Sequence, residues 1–409
     1  MHDYFEPREQ QDPARRETQL LEGVQALVDY ARRHSPHYAR SLAAVDSAGL
    51  DSRTALSALP LLRKSELGQL QSASAPLGGV AAEPARLDRL FLSPGPICEP
   101  ECCQSDWWRM GRAFYAAGFR PGMVVQNCLS YHLSPGGFIL DSGARACGCT
   151  VVPAGPGQTD LQLELNARLQ PQGYCGTPSF LAILLDKAEE RGQTLSFSVA
   201  LVTGEALPAA LRARFEAAGI TVRQAYATAD VGLIAYETVP DQGLIVDEDL
   251  LLEIVRPGTG IPVEPGEIGE VVVTSLNRDY PLIRFATGDL SSVLAEPSPC
   301  GRTQTRIRGW QGRADQSTKV KGLFVHPGQL EQLRSRIDGL ARVRAVVRQH
   351  DGQDTLELLC EPELTPSVGV AAVEEQARAL LRIGVSARWV TPGELPRDGV
   401  VIEDTRPTP

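Results

Sequence analysis

No stretch of the 409 residues holds the eighteen or more consecutive apolar side chains that a membrane span requires, because Arg, Asp, Gly and Pro interrupt every hydrophobic run. The chain also lacks a basic surplus: 40 Lys and Arg stand against 50 Asp and Glu, a formal charge of −10. Non-specific affinity for nucleic acid comes mainly from neutralising phosphates with Lys and Arg, so an acidic chain without a basic arm speaks against that partner. The first residues, MHDYFEPREQQ, are charged from the third position and lead into no apolar core of signal length, so a cytoplasmic protein is expected. Internal repeats and low-complexity stretches are absent. Nine cysteines are present, but without the paired CxxC spacing, repeated downstream, of a structural zinc site. Cys98, Cys102 and Cys103 are crowded together, and Cys147 and Cys149 flank one Gly beside the apolar run 150–152. They read as reduced thiols, buried or incidental, rather than a disulfide framework.

What is there reads as two or three domains, at roughly 150 residues each. Leu20, Leu21, Val24, Leu27, Val28 and Ala31 line one face of a 3.6-residue period, which His34-Ser35-Pro36 ends. Over 104–226 the pattern alternates. It predicts a first helix carrying Trp107, Met110 and Phe114, then strands at 123–128, 150–152, around Tyr174, 199–203 and 221–225. Helices at 136–147, 161–169, 179–190 and 208–218 separate them, which means parallel β-α-β units and a doubly wound α/β sheet. Short strands and turns follow at 250–255, 268–274, 282–285 and 289–294, a β-rich subdomain over about 231–312. Beyond Gly312, residues 327–337, 343–349, 355–360, 370–381 and 386–390 spell α-β-β-α-β, a unit of independent-domain size. The expected fold class is therefore α/β: a large N-terminal domain, 1–313, with mostly parallel sheets plus the β-rich subdomain, and a small α+β lid domain, 314–409.

Ligands of an open parallel sheet bind beyond the carboxyl ends of its strands. The loops at those ends read Ser130-Tyr131-His132, Cys175-Gly176-Thr177-Pro178, Gly204-Glu205 and Tyr226-Ala227-Thr228-Ala229-Asp230. Their small and polar residues let a ligand approach backbone, and equally serve turns.

In order and spacing these loops, with His34-Ser35-Pro36-His37-Tyr38, Leu59-Pro60-Leu61-Leu62-Arg63-Lys64 and Gly176-Thr177-Pro178-Ser179, form one pattern. It continues through Tyr280-Pro281-Leu282-Ile283-Arg284-Phe285-Ala286-Thr287-Gly288-Asp289-Leu290, Gly312-Arg313-Ala314-Asp315 and Lys319-Val320-Lys321-Gly322. Over nearly the whole chain it resembles the phenylacetate-coenzyme A ligase-like branch of the adenylate-forming superfamily. The resemblance implies ATP-dependent activation of a small aromatic carboxylic acid as its acyl-adenylate. Transfer to a thiol follows, usually coenzyme A, with a carrier-protein thiol or an amine as other acceptors. Homodimers are common among such enzymes.

By the same resemblance Asp289 would accept the ribose hydroxyls and Arg313 would hold the ribose or α-phosphate, against plain readings as a turn Asp and a solvated Arg. Asp230 would be the Mg²⁺ ligand. Ser93, Gly95, Gly204, Glu205, Tyr226, Ala227 and Thr228 would surround the nucleotide. Tyr131, His132, Gly204 and Tyr226 would line the acid's pocket, although Tyr226 also reads as a core aromatic and His132 as a buried, hydrogen-bonded histidine. A mobile lid would turn about Asp315 and bring Lys319 towards the site as a catalytic residue, with Lys321 and Gly322 on the coenzyme A side.

Three features depart from that pattern. The phosphate-gripping loop reads Leu92-Ser93-Pro94-Gly95-Pro96-Ile97-Cys98-Glu99-Pro100: two prolines remove N–H donors, no Thr is present, and Glu99 adds an acid. Near the C-terminus, Leu395-Pro396-Arg397-Asp398-Gly399-Val400 has Val400 where the family's catalytic Lys is expected. Losing one such electrostatic contact commonly costs about 10²–10³ in rate, and Arg397 is the alternative cation there. Cys300 stands alone where some relatives hold zinc through several Cys and His, so no structural zinc is expected. These departures keep two further readings open: a catalytically weakened nucleotide-binding or scaffold protein, and an enzyme limited to the thiolation half-reaction.

Overall fold

A computed structural model describes residues 4–84, 86–93, 96–311, 313–314, 318–321, 323–325, 327–350, 353–366, 368–396 and 400–406. It divides into two compact units, Met1–Gln311 and Gly312–Thr408.

The first unit begins with the helix Pro13–His34. Asp12 caps it by accepting from the Arg15 backbone N–H at 2.9 Å, and Pro13 supplies a preset φ at the first position. Its stripe of Leu20, Val24, Leu27, Val28 and Ala31 is buried. Among the described residues the main sheet has nine strands. Thr150–Pro153, Val124–Asn127, Gly173–Gly176, Val199–Val202 and Thr221–Thr228 lie side by side and parallel. Gly232–Glu237, Leu244–Val246, Arg306–Ile307 and Val293–Leu294 continue the same sheet as antiparallel neighbours. The sheet is thus mixed, and the chain turns from parallel to antiparallel at the hairpin between Thr228 and Gly232, which holds Asp230. The crossover Pro178–Glu190 shows how local sequence sets such a helix: Thr177 accepts from the Phe180 N–H at 3.2 Å, Pro178 follows, and Leu181, Leu184, Leu185 and Ala188 are buried.

A second sheet orders Leu62–Arg63, Leu282–Ser291, Gly269–Ser275 and Leu250–Val255. The two expected strands 282–285 and 289–294 are in fact one ten-residue strand to Ser291, followed by the short Val293–Leu294. The Ala-Thr-Gly stretch between them looks like a turn in composition. Its polar groups, however, are absorbed by pairing, since the buried Thr287 hydroxyl donates to the Val271 carbonyl at 3.0 Å. The first expected helix is shorter than its pattern, running only over Gly111–Ala116. Asp106 and Arg109 take left-handed φ of 53° and 62°, and the Asp106 carboxylate accepts from the Gly111 N–H, so Trp107 and Met110 lie in turns ahead of it. The segment read as a phosphate loop is an antiparallel pair, Leu87–Ser93 with Ile97–Cys102.

In the second unit the strands Ser386–Trp389, Gln353–Pro362, Leu340–His350 and Ile402–Asp404 form one sheet. The helices Pro327–Arg336 and Val370–Leu381 contribute Leu330, Leu333, Val373, Ala377 and Leu381 to a core with Val347, Leu358 and Ile402. A small hairpin, Thr318–Val320 with Leu323–Val325, precedes them. All nine cysteines are free thiols, and Cys147 and Cys149 are buried. No helix among the described residues is long and apolar enough to cross a membrane.

Candidate active site

Two loops and one sheet edge build the site in the first unit. The strand Leu62–Arg63 pairs in parallel with the strand Leu282–Ser291, setting Leu62 opposite Phe285, and the helix Lys64–Leu70 starts at the next residue. Lys64 is thereby delivered to the hairpin turn after Thr221–Thr228, where its ammonium lies 2.5 Å from Oδ2 of Asp230. The Asp230 side chain is fully buried, and its Oδ1 has no hydrogen-bond partner among the described residues. Burial works against the Lys64 charge, but Asp230, Glu99 and Asp289 together raise its pKa above the ordinary lysine value.

Glu99 reaches the same cluster from the strand Ile97–Cys102. Its carboxylate accepts from the Ser93 hydroxyl through Oε2, while Oε1 is buried without a partner among the described residues. Burial and the neighbouring Asp230 push the Glu99 carboxyl up to about 8. The sequence suggests an added negative charge at this place, whereas the buried acid is mostly protonated at neutral pH. The Tyr280 hydroxyl is also buried without a partner among the described residues, and burial, Asp230 and Glu99 raise its pKa far above the usual tyrosine value. Among the described residues no group of three or more His, Cys, Asp or Glu side chains forms that could hold a metal ion, but the unpartnered Oδ1 of Asp230 is a hard donor of the kind Mg²⁺ takes singly alongside substrate phosphates.

Asp289 sits on the strand Leu282–Ser291. The Tyr226 hydroxyl, from the end of the strand Thr221–Thr228, donates to its Oδ2 at 2.8 Å, and the Trp310 indole N–H donates to its Oδ1 at 3.1 Å. Of the residues singled out in the sequence, Tyr226, Asp230 and Asp289 are therefore brought together, with Ser93 joined to Asp230 through Glu99. Ala227 and Thr228 continue the same strand, half-buried, and the Thr228 hydroxyl accepts from the Val231 N–H at 3.2 Å. Gly204 has φ of 80°, which favours glycine, and Glu205 accepts from the Ser179 N–H at 3.4 Å across the neighbouring loop.

At the far parallel strand, Asn127 donates to the Tyr131 hydroxyl at 2.6 Å, and that hydroxyl donates to Asp141 at 3.1 Å. Burial and Asp141 raise the Tyr131 pKa above the usual range. Tyr131 packs edge-on against Phe138 with ring centres 5.2 Å apart, and Phe138 in turn lies 5.3 Å from Phe91. His132 is exposed, which sets aside its reading as a buried histidine.

Arg313, Lys319 and Lys321 belong to the second unit. Lys319 lies on the strand Thr318–Val320; Lys321, at the hairpin turn with φ of 49°, donates its backbone N–H to Asp354 at 3.2 Å. In the same unit Arg342 grips the carbonyls of Leu395 and Pro396 at 2.8 and 2.7 Å, just ahead of Val400. Gly95, Asp315, Gly322 and Arg397 lie outside the described residues. Cys300 is buried, with the Thr238 hydroxyl donating to its sulfur at 3.2 Å.

Nothing in the sequence alone assigns a role to Lys64, Trp310 or Tyr280. Lys64 closes the Leu-Pro-Leu-Leu-Arg-Lys segment, which carries the family pattern but says nothing of a partner 166 residues away.

The family model described as AMP-binding enzyme matches residues 114–277. The chain is 32% identical over 359 residues to the phenylacetate-coenzyme A ligase of Thermus thermophilus, covering 83% of this chain and 80% of that protein. To the phenylacetate-coenzyme A ligase of Aromatoleum evansii it is 30% identical over 396 residues, covering 90% and 88%. Among solved structures, 2-hydroxyisobutyryl-CoA ligase in complex with 2-HIB-AMP and CoA superposes with a TM-score of 0.84 at 22% identity, over 99% of this chain and 93% of that one, which is a likeness of fold. With 32% and 30% of the aligned residues identical across most of both chains, the protein belongs to the phenylacetate-coenzyme A ligase-like family of adenylate-forming enzymes.

Proposed function

We propose that this chain joins a small aromatic carboxylic acid to coenzyme A by way of an acyl-adenylate. The observation that carries the reading is the Lys64 ammonium on Asp230, in one electrostatic cluster with Asp289. In the first half-reaction an oxygen of the acid attacks the α-phosphorus of ATP, the bond to pyrophosphate breaks, and negative charge grows on the phosphoryl oxygens. A cation held in place before the reaction stabilises that charge without reorganising. Val400 offers none, and Lys64 supplies one from the first unit. In the second half-reaction the thiolate adds to the acyl carbonyl carbon and AMP leaves.

Asp289 would receive the ribose, with Tyr226 beside the adenine and Gly204, Glu205, Ala227 and Thr228 around them. Asp230 would hold Mg²⁺, which when bound neutralises phosphate charge. Tyr131, Phe138 and Phe91 offer the aromatic wall that supports an aromatic acid, and His132 would sit at its mouth. By resemblance Arg313 serves the nucleotide, and Lys319 and Lys321 serve the thiol half; Asp315 and Gly322 keep their roles as hinge and coenzyme A contact on that ground alone. A carrier-protein thiol is the alternative acceptor. Acid-dependent pyrophosphate release, measured with and without coenzyme A across phenylacetate, benzoate and hydroxy- and aminobenzoates, tests the reading and names the acid.

One observation favours a second reading, in which adenylation is weak and the thiolation half remains. The Ser93 hydroxyl, a phosphate donor by resemblance, is committed to Glu99. A protein of that kind is stabilised against heat by AMP but not by ATP, because only a ligand of the native state raises the melting point.

A further inference from the structure

Trp310 is 45% exposed, so core packing does not account for an indole there. Its backbone is nonetheless held tightly along the strand Leu282–Ser291. The Ser291 hydroxyl donates to the Gly309 carbonyl at 2.7 Å, the Gln311 N–H donates to the Leu290 carbonyl at 2.8 Å, and the Ser292 hydroxyl donates to the Gln311 side chain at 3.0 Å. Gly309 takes φ of 97°, a conformation open to glycine, and lets the chain follow the strand edge at this point. Among the described residues the ring then makes one polar contact: its N–H on Oδ1 of Asp289, at 3.1 Å.

We propose that Trp310 is a positioning residue for the nucleotide, its indole N–H and the Tyr226 hydroxyl together fixing the plane of the Asp289 carboxylate against which the two ribose hydroxyls dock. This rests on the reading of Asp289 as the ribose acceptor. One donor on each oxygen defines the orientation of a carboxylate, which otherwise rotates about its terminal torsion in a broad well. Both donors are neutral, and an indole is a donor only, so neither cancels the charge that makes Asp289 a strong acceptor, as a Lys or Arg in the same place would. Asp289 is 6% exposed, so an acceptor turned by even a fraction of a torsional well meets the diol poorly. Trp310 touches no reacting atom; it acts through Asp289.

The test is calorimetric titration of the whole chain with AMP and with 2′,3′-dideoxy-AMP, for the native protein, Trp310→Phe and Trp310→His. The native protein should prefer AMP by about tenfold or more, the scale of a hydrogen bond to a charged group. Trp310→Phe should bind AMP about tenfold more weakly and dideoxy-AMP as before, so the preference collapses; Trp310→His, which returns a ring N–H, should recover part of it. Equal losses for both nucleotides, no loss for either, or a preference as low in Trp310→His as in Trp310→Phe would each assign the ring a role in bulk packing alone and overturn the inference. Absence of AMP binding by the native protein overturns the nucleotide reading itself, and the inference with it.

Discussion

The Lys64 ammonium and the Asp230 carboxylate meet at 2.5 Å, one at the first residue of a helix and the other in a hairpin turn of a different sheet. Their partnership gives the site a fixed cation that does not depend on the C-terminal segment, where Val400 stands. It also ties function to stability, because removing one member of a buried pair leaves the other charge uncompensated.

Lys64→Met should lower acid-dependent pyrophosphate release by about 10²–10³, the usual effect of losing one electrostatic contact to a transition state. It should also destabilise the protein by about 3–5 kcal/mol through the stranded Asp230. In the double variant Lys64→Met, Asp230→Asn denaturant midpoints should return towards native, while pyrophosphate release stays low because both the cation and the Mg²⁺ ligand are gone. Full activity in the folded double variant contradicts the role given to Lys64.

Glu99 makes stability depend on pH in a defined direction. Its folded pKa, about 8, lies above the ordinary value of 4.5, so the native state binds this proton more tightly than the unfolded chain does. The contribution is complete below pH 4.5 and is lost as pH rises through about 8. Thermal unfolding from pH 5 to 8.5 should therefore show a steeper decline in the native protein than in Glu99→Gln. Parallel profiles would remove Glu99 from the account.

Arg284 lies in the Tyr280–Leu290 segment that carries the family pattern, and its buried guanidinium makes structural contacts. It lies 3.0 Å from both oxygens of Glu253 and donates to the carbonyls of Ser57, Leu59 and Gly260. Because Leu59 begins the segment that ends at Lys64, Arg284 braces the approach to the site. Arg284→Met should cost about 3–5 kcal/mol in urea unfolding by stranding Glu253, and retain the AMP preference over dideoxy-AMP in whatever fraction folds.

Tyr226→Phe removes the hydroxyl that donates to Asp289 and keeps the ring. AMP affinity should fall about tenfold with little change in melting temperature, as read by titration and thermal unfolding. A stability loss with unchanged affinity would return Tyr226 to its reading as a core aromatic.

The parts of the fold legible in the sequence are those governed by local periodicity. The apolar stripe of Pro13–His34 and the buried runs of Val199–Val202 and Leu250–Val255 declare their elements within a few residues. What was not legible depends on long-range pairing. The strand Leu282–Ser291 passes through Thr287 and Gly288 without a break because a neighbouring strand satisfies it. Left-handed φ at Asp106 and Arg109 delays a helix whose apolar pattern starts earlier. In the site, motif order pointed to Tyr226, Asp230 and Asp289, whereas Lys64 and Trp310 emerged only once the sheets had placed them against those acids. The charge state of Glu99 was hidden for the same reason: burial, not composition, sets it.

The most direct measurement is pyrophosphate release from ATP and Mg²⁺ by the native protein across the panel of aromatic acids, run beside Val400→Lys. The account predicts release that depends on one aromatic acid in the native protein, with product passing to coenzyme A when the thiol is added. Silence from the native protein with every acid, and release only from Val400→Lys, would contradict it, showing that Lys64 does not replace the missing C-terminal cation.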